Sequence, residues 1–64
     1  MRHTEFWARL DGVLGRGYSR TWAEVTVLRD LDGRTTQEAL DAGMPPTQVW
    51  AAVRRQLELP ESER

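Results

Sequence analysis

The chain reads as an all-α protein: a compact bundle of three longer helices and one short one, the last two forming a helix-turn-helix-like pair. Three observations predict this. Trp7, Trp22 and Trp50 each fall on an apolar face with helical spacing. Glycine and proline punctuation divides the 64 residues into four stretches. Nowhere do apolar and polar residues alternate over a useful strand length. A chain this short buries only about 60 % of the surface its unfolded form exposes. It therefore needs a few very large buried side chains, and the three indoles are the largest it has.

The first helix is expected from about Glu5 to Leu14, with Thr4 as N-cap and Gly15 just past its end. Phe6, Trp7, Leu10, Val13 and Leu14 share one face, while Gly12 lies opposite at a cost of about 1 kcal/mol relative to alanine. Gly15-Arg16-Gly17 makes the turn. The second helix is expected from Tyr18 to Leu31, ending at Asp32-Gly33, with Tyr18, Trp22, Val25, Leu28 and Leu31 as its buried stripe. Ala23 and Val27 lie well round the cylinder, which makes this helix either central or two-sided with a patch for a partner.

The third, short helix opens on a capping box, Thr35-Thr36-Gln37-Glu38, continues through Ala39, Leu40 and Ala42, and stops at Gly43. Met44 leads to Pro45-Pro46, and Pro46 suits the first position of the fourth helix. That helix carries Val49, Trp50, Val53 and Leu57 on one face and Thr47, Gln48, Ala51, Arg55 and Glu58 on the other. Leu59-Pro60 closes a single domain of residues 1–60, and 61–64 read as a frayed polar tail. The expected core is Trp7, Trp22, Leu28, Leu40, Val49, Trp50 and Val53, with Trp7 and Trp50 more exposed than Trp22.

Nine basic residues stand against ten acidic ones, with no basic arm or acidic run. All nine are arginine; lysine, asparagine and isoleucine are absent, a skew that fits a GC-rich genome. Arg20 with Glu24 and Arg54 with Glu58 have the i,i+4 spacing for local pairing. With no cysteine and one histidine, His3, neither disulfide nor zinc is on offer as a staple. No apolar run reaches the length of a signal peptide or membrane span, so a cytoplasmic protein is expected.

Chemistry finds little to work with. Asp30-Leu31-Asp32-Gly33 resembles part of a calcium loop, but setting Gly33 at the sixth position puts Leu28 first and Ala39 twelfth, where oxygen ligands are required. Gly12, Gly15 and Gly17 follow a helix rather than a strand, which excludes a dinucleotide fingerprint. No serine or threonine has a positioned base. No enzyme, cofactor, metal site or catalytic residue is expected.

Binding is the remaining function class. The leading expectation is a non-enzymatic protein-protein interaction module using Ala23, Val27 and Arg20, its partner unidentified and its oligomeric state open. The alternative is nucleic-acid binding by the helical pair at 35–57, with Thr47, Gln48, Arg54 and Arg55 facing the nucleic acid. Ala39, Gly43 and Val49 have helix-turn-helix spacing, with Met44 and Ala52 at two further semi-buried positions. Glu38, Pro45-Pro46 and the slightly negative net charge speak against it.

Thr4-Glu5-Phe6-Trp7, then Tyr18, Trp22-Ala23, Val27-Leu28, Arg34-Thr35, Glu38-Ala39-Leu40, Gly43 and Val49-Trp50 together resemble a small actinobacterial protein family of unknown function. The resemblance spans about residues 2 to 60 and departs at Pro45-Pro46, where an acidic residue before a single proline is expected. It implies a short all-helical protein often encoded near genes of homologous recombination, and it brings no activity and no site residues.

Overall fold

The computed structural model describes residues 1–59, so the polar tail expected at 61–64 lies outside the described residues. The chain runs α1 (His3–Leu14), α2 (Ser19–Val25), β1 (Val27–Leu28), a 3-10 turn (Arg29–Leu31), β2 (Arg34–Thr35), α3 (Thr36–Asp41) and α4 (Pro46–Gln56). The fold is thus mostly helical but not purely so, because β1 and β2 pair antiparallel, Val27 with Thr35 and Leu28 with Arg34. Two helices are long and two are short, in place of three long and one short.

α1 begins earlier than its sequence signal. Arg2 occupies the N-cap without a side-chain bond, the Phe6 amide donates to the Arg2 carbonyl at 2.9 Å, and Thr4 lies inside the first turn. Phe6 and Leu10, one turn apart, are fully buried, and Trp7, Val13 and Leu14 flank them. The helix stops at Gly15, whose φ of 94° and ψ of 144° belong to a region that is essentially glycine's alone. The next turn hangs on the same residue, since Tyr18 and Ser19 amides both donate to the Gly15 carbonyl. Ser19 Oγ then donates to the Asp11 carboxylate, which fastens the start of α2 to the last turns of α1.

The second helix is where expectation and structure part. It ends at Val25, and Thr26 is already extended at φ −90° and ψ 117°. Val25, Thr26 and Val27 are three β-branched residues in succession, which lose χ1 freedom in a helix and suit an extended strand. That local preference overrides the 3.6-residue spacing. Leu28 and Leu31 still reach the core, one from β1 and one from the 3-10 turn. Tyr18 and Val25, assigned to the same stripe, are instead 52 % and 67 % exposed.

β2 runs straight into α3. Thr35 is its last residue and also the N-cap of α3, where the full capping box forms. The Glu38 amide donates to Thr35 Oγ1 at 3.1 Å, and the Thr35 amide donates to Glu38 Oε1 at 2.9 Å. α3 ends in a Schellman turn: Gly43 donates to Leu40 and Met44 to Ala39, with Gly43 at a φ of 93°. Pro46 then starts α4 at the position where its missing amide costs nothing.

Phe6 forms the middle of the core. Its ring meets Trp7 and Trp50 edge-on, at centroid distances of 5.3 and 5.8 Å and interplanar angles of 90°. Trp50 is as deeply buried as Trp22, so its expected partial exposure is not observed, while Trp7 is half-buried. α1 supplies the wall that Trp50 needs, and periodicity within α4 alone could not reveal it.

Candidate interaction surface

The patch expected on the second helix does not form as such. Ala23 is completely buried and cannot present a face. Because the helix stops at Val25, Val27 leaves the cylinder altogether and sits in β1, 55 % exposed. What the structure places beside it in the chain is Val25, on the other side of Thr26 and 67 % exposed. These two valines make an apolar corner where α2 passes into the ribbon. β1 has a strand neighbour on one side only, since the described sheet has two strands.

Arg20 lies near the opposite end of α2, about 7.5 Å along the axis from Val25. Its guanidinium carbon stands 3.8 Å from the centroid of the Trp7 ring, a cation–π contact. It therefore braces the α1–α2 junction and does not join the valines. The local pairs expected from spacing are also absent among the described residues. Arg20 is turned onto Trp7, and Glu58 lies beyond the end of α4 in a left-handed conformation, φ 54°. The ion pair that does form is Arg55 Nη1 to Asp30 Oδ2 at 3.3 Å, between side chains 79 % and 37 % exposed. At that exposure it contributes at most about 1 kcal/mol.

The residues proposed for nucleic acid divide similarly. Thr47 and Gln48 are exposed in the first turn of α4, and Arg55 is engaged with Asp30. Arg54 is half-buried, and its Nε has no acceptor among the described residues. Ala39 and Val49 are fully buried where α3 meets α4, but α3 is only six residues long.

Sequence reasoning missed a hollow of about 150 Å³ between α1 and α4, lined by Met1, Arg9, Thr47, Trp50, Ala51 and Arg54. The Trp50 and Arg54 spacing of one helical turn was visible, but the arrival of Arg9 from α1 is tertiary and left no local signal. The amino group of Met1 approaches Thr47 Oγ1 at 3.4 Å across this hollow. Trp50 Nε1 is buried without an acceptor among the described residues. Two wider hollows, of about 550 and 260 Å³, adjoin the Arg55–Asp30 pair. The larger balances Arg29 and Arg55 against Asp30 and Glu58, so it favours neither sign of charge. Among the described residues no group of three or more His, Cys, Asp or Glu is placed to hold a metal ion. None of the described helices is long and apolar enough to cross a membrane.

Taken as a class, this is a small, mainly helical domain whose prominent surface features are an apolar corner and an arginine-lined hollow. A family model described as a protein of unknown function, DUF3046, matches residues 1–62, and the chain belongs to that family. Comparison with curated proteins and with solved structures gives no match.

Proposed function

We propose that this chain is a non-enzymatic module that binds another protein through the corner formed by Val25 and Val27. The observation that carries the reading is the exposure of both valines beside an incompletely flanked strand. Burying the exposed parts of two valines contributes about 2–4 kcal/mol. That does not offset the cost of association alone, so a partner must add contacts of its own. Those contacts would come from side chains round the corner, because β1 is only two residues long and its Leu28 is completely buried. Self-association through the same corner is a special case, in which the partner is a second copy.

Less favours nucleic acid. Arg55 is occupied by Asp30, the first turn of α4 holds no arginine, and the chain carries a formal charge of −1.

The test compares the tagged full chain with its Val25→Asp/Val27→Asp variant in quantitative affinity capture, alongside light scattering of each. The expected result is a stoichiometric partner, or a dimer, present with the native chain and lost with the variant at unchanged circular dichroism. Identical capture and identical mass for both proteins would remove the corner as the binding surface.

A further inference from the structure

We infer that the hollow between α1 and α4 is a receptor for a single carboxylate, supplied by an acidic side chain of a peptide segment. Arg9 from α1 and Arg54 from α4 line it together, and none of its lining residues is acidic. Among the described residues neither guanidinium has a carboxylate partner, since the ion pair that forms there uses Arg55. With the amino group of Met1 the two make three cationic groups around a space of about 150 Å³; they repel one another, and an anion placed among them reverses the sign of that interaction.

Two further donors lie enclosed in the wall behind the hollow. Trp50 is 4 % exposed, and among the described residues its Nε1 and the buried Nε of Arg54 have no acceptor. An indole N–H and a guanidinium can only donate, so what they lack is an acceptor. Carboxylate suits the planar fork of arginine. Ala51 and the Trp50 ring supply apolar wall, which fits the methylene stem of a glutamate better than a fully hydrated free ion. Thr47 Oγ1 at the rim accepts from the Met1 amino group and keeps its own O–H to donate. The peptide as the source of the carboxylate rests on the protein-binding reading above, whereas the charge and donor arrangement does not.

The experiment titrates the ¹⁵N-labelled full chain with a blocked pentapeptide bearing one central glutamate, with its glutamine counterpart and with inorganic phosphate. The expected result is a saturable shift of the Trp50 indole N–H and Arg54 Nε–H signals with the glutamate peptide alone. Arg9→Gln and Arg54→Gln should each weaken binding about tenfold, the loss of one charge-assisted hydrogen bond. Arg54→Lys, which keeps the charge and loses the fork, serves if Arg54→Gln does not fold. Equal response to both peptides, no movement of either signal, or phosphate saturating the site ahead of the peptide would overturn the proposal. Repeating the titration on Val25→Asp/Val27→Asp separates the two readings: unchanged peptide binding leaves the hollow standing even where the apolar corner has failed.

Discussion

The same substitution, glycine to alanine, should change stability in opposite directions at three positions of this chain. At Gly12, Gly15 and Gly43 an added methyl group would meet nothing within 4 Å, so packing is silent and backbone conformation alone sets the sign. Gly12 lies exposed within α1, at ordinary helical angles. Alanine there restricts the unfolded chain and improves helix propensity, a gain of about 0.5–1 kcal/mol. Gly43 has a φ of 93°, and Gly15 combines a φ of 94° with a ψ of 144°. Alanine at such angles costs about 1–2 kcal/mol at Gly43 and up to about 3 at Gly15. A 64-residue domain has only about 3–10 kcal/mol to lose. Urea unfolding followed by circular dichroism should therefore show the midpoint raised for Gly12→Ala and lowered for the other two, with the slope unchanged. In thermal melts about 1 kcal/mol corresponds to about 4–8 °C. A neutral or stabilising Gly43→Ala would mean that α3 does not end in the Schellman turn, and the placement of α4 against α3 would fall with it.

Two neighbouring threonines offer a similar contrast. Thr35→Ala removes the hydroxyl that caps α3 and should cost about 0.5–2 kcal/mol. Thr36→Val replaces a fully buried hydroxyl with no partner among the described residues by a methyl group, and should gain about 1 kcal/mol. A raised midpoint for Thr35→Ala would refute the assignment of Thr35 as the cap, and a lowered one for Thr36→Val would refute the reading of its hydroxyl as unmet. Phe6→Leu keeps an apolar side chain but removes two edge-on ring contacts, each worth about 0.5–1.5 kcal/mol. A loss below about 0.5 kcal/mol by circular dichroism would show that the ring geometry contributes little to the core.

The elements that were legible in advance are those whose signals are local. The Phe6–Leu10 and Val49–Trp50–Val53 stripes, the Thr35–Glu38 box, Gly43 and Pro46 all act within one or two helical turns, and all appear in the structure in those roles. The ribbon was not legible, because Tyr18, Trp22, Val25, Leu28 and Leu31 imitate a helical face that the β-branched run Val25-Thr26-Val27 interrupts. Weighing that run against the spacing would have ended α2 seven residues after it starts and brought Val25 out of the core. The Arg9–Arg54 hollow lies further from reach. It joins residues 45 apart in the chain, and no periodicity within either helix encodes the other's arrival.

The way α2 is held bears on what the valine corner can do. Seven residues are too few for a helix to persist by itself, so α2 depends on its anchors. At its start Ser19 is bonded to Asp11, and one residue later Arg20 lies over Trp7, so that end is fastened to α1. Trp22 and Ala23 are buried in its middle, and just past its end the pairing of Val27 with Thr35 ties the chain to the strand that caps α3. Val25 and Val27 thus stand between fixed points on both sides, which removes most of the ordering cost that a loop of the same composition would incur on docking. An apolar pair on a mobile loop would be an incidental exposure. Held between those anchors, the same pair meets what the proposed contact requires.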